Sequence, residues 1–186
     1  YGNHTAYIVM EYIDGIDMRR YAKAKGGRLA PQEVFAILKD VLKALNEVHK
    51  ANIIHRDISP DNIMITHELI DFGASRNYEN SKTAPVLLKQ GYAPIEQYTK
   101  DGRQGPWTDV YSMCASIYYL LTGVRIPAAK ERQKGDTVRK LQAMGVPISE
   151  KQDLAIQKGL SVNAAGRYQT IADVYRNLYG GWIQDR

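Results

Sequence analysis

His55-Arg56-Asp57, Asn62 and Asp71-Phe72-Gly73 place two carboxylates and one amide on closely spaced polar stretches. Oxygen ligands of this kind suit Mg²⁺, which keeps several waters and bridges one or two carboxylates to substrate phosphates. In that chemistry Asp71 and Asn62 are candidate cation ligands, and Asp57 is a candidate to orient a hydroxyl group. Any one of these residues alone reads as an ordinary loop cap. The ordered set points to phosphate chemistry.

Such loops need a scaffold, and the flanking sequence supplies one. Residues 7–12, YIVMEY, read as a strand, followed by a turn at Asp14-Gly15. Asp17 can cap a helix through about residue 25, which Gly26-Gly27 ends, and Pro31 opens a longer second helix. In that second helix Val34, Ile37, Leu38, Val41, Leu42, Leu45 and Val48 follow three-four spacing, while Lys39, Asp40, Lys43 and Glu47 fall elsewhere. After Ile53-Ile54 come HRDISPDN and two β-like runs, 63–65 and 68–70, which read as a small hairpin. Residues 71–105 show little periodicity, and a loop of that length inside a compact domain is usually functional or mobile. Residues 108–122 are apolar nearly all round, as expected of a central buried helix, and Gly123 stops them. Further helices are expected at 136–144, 149–160 and 170–178. The expected fold class is therefore mainly α, a helical lobe with small β-hairpins.

Composition narrows the setting. The 186 residues, 44% hydrophobic and 24% charged, suffice for one substantial core. With 25 Lys and Arg against 20 Asp and Glu, the net charge is +5, which fits phosphate-bearing or acidic partners. No nucleic-acid partner is expected, because the densest basic stretch, 19–28, reads as a solvated helix face. The single cysteine, Cys114, lies in the apolar run 111–121 and reads as a buried small hydrophobe. With no disulfide framework, signal-peptide pattern or apolar span of roughly 20 residues, a cytoplasmic location without direct membrane contact is expected. A membrane anchor elsewhere in a longer protein stays open.

The motifs taken together resemble the eukaryotic-type protein kinase family. HRDISPDN resembles its catalytic loop, DFGASR its metal-binding loop, YIVMEYIDG its hinge, GYAPIEQY its APE segment and WTDVYSMCASIYYLLTG its central helix. HRDISPDN and GYAPIEQY are closer to bacterial Ser/Thr kinases than to animal signalling kinases. The resemblance implies the C-terminal lobe of the α+β kinase fold. Residues 1–16 would be the last N-lobe strand and hinge and 17–186 the C-lobe, with a catalytic loop at 55–62 and an activation segment at 71–96. The N-terminal lobe, with its glycine-rich loop, strand lysine and helix glutamate, is not expected within this sequence, and the segment alone would then be inactive. An N-terminal lobe or a dimer partner is the candidate complement.

The resemblance also implies roles. ATP and Mg²⁺ would be the cofactors and a protein hydroxyl the acceptor, with Ser or Thr preferred over Tyr. Asp57 would orient the hydroxyl proton, Asn62 would hold one Mg²⁺ and Asp71 would bridge metal to phosphates. Glu11 and Ile13 would bond the adenine edge through their backbones, with Met10 behind it, Met64 beneath the ring and Asp17 near the ribose. His55 and Phe72 would anchor the loops. Arg56 would meet phosphorylated Ser81 or Thr83. Glu96 would pair with Arg167 in a buried ion pair, and Asp109 would accept backbone N–H bonds from His55-Arg56.

Two positions depart from the family pattern. The nine positions from Asn62 to Asp71 make a short hairpin, which suggests residues missing between Thr66 and Glu68. Ser59 stands where Ser/Thr kinases usually carry a phosphate-contacting lysine, and Lys89 stands where they usually carry a threonine. Lys89 is therefore expected to supply the missing charge. A pseudokinase scaffold and a small-molecule phosphotransferase are the alternative functions. The intact Asp57, Asn62 and Asp71 argue against the first, and Glu96 with Arg167 against the second.

Overall fold

A computed structural model of the chain describes residues 15–65, 76–77, 88–99 and 101–181. Asp17 caps the first helix, α1 (Met18–Ala24), by accepting the Arg20 N–H at 2.8 Å. Pro31 opens α2 (Pro31–Lys50), where its missing N–H costs nothing. The apolar stripe of α2 buries Val34, Ile37, Leu38, Val41, Leu42 and Leu45, but Val48 is only half-buried and His49 points inward instead. At 3.6 residues per turn the position four beyond Leu45 continues the stripe better here than the position three beyond, and His49 finds a carboxylate there.

The central helix, α3 (Pro106–Thr122), starts two residues before the apolar run that announces it and ends at Gly123. It packs against α1, α2, α5 (Glu150–Gly159) and α6 (Ile171–Tyr179). Tyr111, Met113, Ile117 and Leu120 of α3 and Leu38, Leu42 and Leu45 of α2 are fully buried. Each aliphatic side chain so buried stabilises the lobe by about 1.5–3 kcal/mol. Where α5 crosses α3, a Cβ on Gly159 would collide with the Cys114 sulfur, so glycine is what permits this approach. Burial pushes the Cys114 thiol up to about 12.

The 136–144 helix does not form. The structure has a short helix earlier, α4 (Ala129–Arg132), and only a 3₁₀ turn at Gln142–Met144. Asp136 is taken up by Arg132 at 2.9 and 2.6 Å and by the Val138 N–H at 3.1 Å, a local bond that competes with helix. The N–H groups of Leu141 and Gln142 turn to the Asp153 carboxylate instead.

The β structure among the described residues is small. Strand β1 (Ile53–Ile54) runs antiparallel to β2 (Arg76–Asn77). Met64 bridges to Asp17, Met18 N–H donates to Ile63 O at 2.8 Å, and Ile65 N–H donates to Ile16 O at 3.0 Å. Residues 66–70, the other half of the expected hairpin, lie outside the described residues, as does the expected strand at 7–12.

Candidate active site

The loop after β1 is pinned from two sides. Asp109, in the first turn of α3 and fully buried, accepts the His55 N–H at 2.7 Å and the Arg56 N–H at 2.8 Å, with His49 Nε2 at 2.8 Å. On the other side of Arg56, its carbonyl accepts from Gln97 Nε2 at 2.9 Å. Arg56 sits at φ +72°, a left-handed conformation that costs a non-glycine residue about 1–3 kcal/mol. The charge-assisted bond to Asp109 and the amide bond from Gln97 offset that cost and hold the peptide in place. His55, with no exposure, serves as an anchor: its Nδ1 accepts the Asp57 N–H at 3.3 Å.

Asp57 is oriented by Asn62, whose Nδ2 donates to the Asp57 carbonyl at 2.7 Å and to its Oδ2 at 3.0 Å. The 3₁₀ turn Pro60–Asn62 sets that reach. The second carboxylate oxygen of Asp57, Oδ1, faces Lys89 Nζ at 3.6 Å. Lys89 donates to Ser59 Oγ at 3.0 Å and lies 3.9 Å from Asp61 Oδ2. Asp61 is itself held by Arg19 of α1 through both oxygens, and Arg19 also donates to Tyr92 Oη at 3.1 Å. Burial works to raise the Asp61 carboxyl, but the Arg19 hydrogen bond and the Arg19 and Lys89 charges hold it below the usual carboxylate value. The Arg19 guanidinium lies 4.8 Å from the Tyr119 ring centroid. Arg19 thus departs from the solvated face expected of the 19–28 stretch, whereas Arg20, Lys23, Lys25 and Arg28 are exposed as expected.

The segment that carries Lys89 is fastened further on by Glu96, in the 3₁₀ turn Ile95–Tyr98. Arg167 Nη1 and Nη2 donate to the two Glu96 oxygens at 2.7 and 3.0 Å, and Thr108 Oγ1 donates to Glu96 Oε1 at 3.0 Å. Arg167 also donates to the carbonyls of Ser161, Val162 and Trp107. This pair is enclosed: the Arg167 side chain has no exposure and that of Glu96 has 7%.

Seven of the residues singled out in the sequence, Met10, Glu11, Ile13, Asp71, Phe72, Ser81 and Thr83, lie outside the described residues. Of the others, Asp57, Ser59, Asn62 and Lys89 come together, while Asp17 and Met64 meet each other at a β-bridge. Sequence reasoning missed Gln97, Asp61, Arg19 and His49. Gln97 adjoins Glu96 in GYAPIEQY, a motif position that was legible. Nothing local marks Arg19 as the partner of Asp61, 42 residues away. Among the described residues, no cluster of three or more His, Cys, Asp or Glu could hold a metal. Asn62 commits its Nδ2 to Asp57 and so presents Oδ1, an oxygen of the class Mg²⁺ prefers, on its other face.

Comparison with known proteins adds an independent view. A family model described as the protein kinase domain matches residues 1–167. The chain is 33% identical over 187 residues to serine/threonine-protein kinase PknB of Mycobacterium leprae, covering 92% of this chain and 30% of that protein. It is 29% identical to serine/threonine-protein kinase PrkC of Bacillus subtilis, covering 97% of this chain and again 30% of the relative. The chain therefore spans under a third of the length of these curated relatives. Among solved structures, PpkA-294 in its apo form superposes with a TM-score of 0.75 at 27% identity, covering 90% of this chain and 61% of that one. The PknI kinase domain of Mycobacterium tuberculosis, at 22% identity and TM-score 0.69, shares the fold.

Proposed function

The chain belongs to the protein kinase domain family, and from that premise we propose that it is the catalytic lobe of a Ser/Thr protein kinase. The supporting observation is the Asp57 carboxylate, held by Asn62 inside a loop that Asp109 and Gln97 pin. In the proposed reaction the bond between the γ-phosphorus of ATP and the bridging oxygen of the ADP leaving group breaks. A bond forms from that phosphorus to a Ser or Thr hydroxyl oxygen of a protein substrate. The hydroxyl proton passes to Asp57, and ADP leaves with its charge. Bound Mg²⁺ would neutralise phosphate charge. Asn62 Oδ1 and Asp71 are the residues proposed to hold it.

Among the described residues no helix is long and apolar enough to cross a membrane. We place the domain in the cytoplasm, where ATP is supplied, with ATP and a protein substrate as its partners. The test is phosphate transfer from labelled ATP by the full-length protein that contains this chain. Asp57→Asn should lower transfer to protein by at least about 100-fold, since a general base contributes that much. Transfer to a small metabolite alone would overturn the protein-kinase reading. Unchanged transfer in Asp57→Asn would remove Asp57 from its role.

A further inference from the structure

Phosphoryl transfer depends on positioning and on positive charge beside the transferring group, because the protein does little covalent chemistry itself. Close to Asp57 that charge is carried by Lys89, with its ammonium 3.6 Å from Oδ1. We propose that Lys89 is a catalytic residue that contacts the transferring phosphoryl group, and that Ser59 is its seat. The proposal rests on the phosphoryl-transfer reading above.

Three features carry it. First, among the described residues the ammonium makes one hydrogen bond, to Ser59 Oγ at 3.0 Å, and its two carboxylate neighbours stand off at 3.6 and 3.9 Å. An ammonium has three donors, so capacity remains for a phosphate oxygen, and the side chain is 35% exposed rather than enclosed. Second, the neighbour that would neutralise Lys89 is already engaged. Asp61 gives both oxygens to Arg19, which is stacked on Tyr119, so Asp61 steadies Lys89 without capturing it. Third, the backbone of Lys89 is held by contacts separate from those of its side chain. The Tyr92 and Ala93 N–H groups both donate to the Lys89 carbonyl, at 3.0 and 2.9 Å, and Ser112 Oγ ties the Tyr92 carbonyl to α3 at 2.8 Å. Gly91, at φ +83°, makes that turn, where a Cβ would come 2.5 Å from Arg125 Cγ and 2.7 Å from Ile126 O.

Ser59 is fully buried and small, and Lys89 occupies the space above its hydroxyl. The two positions form one unit, in which the charge arrives from the segment at 88–93 and the loop supplies an acceptor. Lys89 keeps its protons throughout, and the bonds made and broken at phosphorus are those already given. Catalysis thereby requires residues 88–93 to be seated on the loop.

The experiment uses the full-length protein with saturating ATP and a protein substrate. Lys89→Met should lower kcat by about 100-fold, the typical loss of one stabilising group, with Tm kept. The exchange variant S59K/K89T moves the charge back to the loop and should regain at least about tenfold over Lys89→Met. If Lys89→Met keeps kcat within about twofold while Asp57→Asn abolishes transfer, the inference is wrong and the kinase reading stands. Loss in Lys89→Met without recovery in the exchange variant would show a merely structural lysine and overturn it equally. Full transfer by Asp57→Asn would sink the catalytic assignment of the loop, and this inference with it.

Discussion

Arg167 and Lys89 both face carboxylates across long stretches of sequence, yet one is enclosed and the other is not. Arg167 spends its guanidinium on two Glu96 oxygens and three carbonyls, with no side-chain exposure. Among the described residues Lys89 makes a single short contact, and it remains 35% exposed. A planar fork with every donor used cannot release its partner cheaply, whereas an ammonium among distant acceptors can accept a new one. The first arrangement stabilises the lobe and the second leaves charge available for a ligand. Asp109 falls on the stabilising side: it is fully buried and accepts two backbone N–H groups.

The comparison breaks most readily at Arg167. Arg167→Ala should cost about 3–5 kcal/mol, because Glu96 is left as a buried unpaired charge. Thermal unfolding measures this, and a Tm close to wild type would mean that the pair is not enclosed. Replacing both partners, as in E96L/R167M, should recover only part of the loss, since the carbonyls of Ser161, Val162 and Trp107 would lose their donor.

Asp109→Asn should cost less, about 1.5–3 kcal/mol, the range for a hydrogen bond to a charged group. One of the two amides, of His55 or Arg56, would then face a donor instead of an acceptor. Hydrogen exchange at those two amides should speed up, and unchanged protection there would contradict the pinning of the loop.

At Lys89 the expected pattern is reversed, with a large change in kcat and a stability change within about 0.5 kcal/mol, as at a surface position. A large fall in Tm for Lys89→Met would place it beside Arg167 and erase the contrast.

The smallest effect concerns Asp61, which belongs to neither extreme. Its folded carboxyl is lowered, so its contribution to stability is fully present above the unfolded value of about 3.9 and is lost as pH falls through the folded value. The Tm difference between wild type and Asp61→Asn should therefore be constant near neutral pH and shrink in acid. A difference that grew as pH fell would have the wrong sign for an Arg19-held carboxylate.

Much of this lobe can be read from the sequence itself. The periodic apolar residues of α2, the all-round apolar run of α3, and Asp17, Ser149 and Gly123 at helix ends announce elements whose hydrogen bonds close within a few residues. HRDISPDN likewise holds Asp57 and Asn62 five positions apart, near enough for a local turn to join them. The expected helix at 136–144 failed because Asp136 and Asp153 draw the backbone into bonds that periodicity does not register.

What only the tertiary structure decided is which distant groups meet. Lys89 reaches Ser59 across 30 residues, Gln97 reaches the Arg56 carbonyl across 41, and Arg19 reaches Asp61 across 42. Motif positions point to the first of these and, through GYAPIEQY, to Gln97 as a residue of interest, but nothing along the chain announces Arg19 as the partner of Asp61. Their partners are chosen by how α1, α3 and the segment at 88–99 pack around the loop. A residue's neighbours along the chain determine its helix or turn, but the burial of the core determines which side chains face one another. At this site the chemistry is carried by the facing side chains.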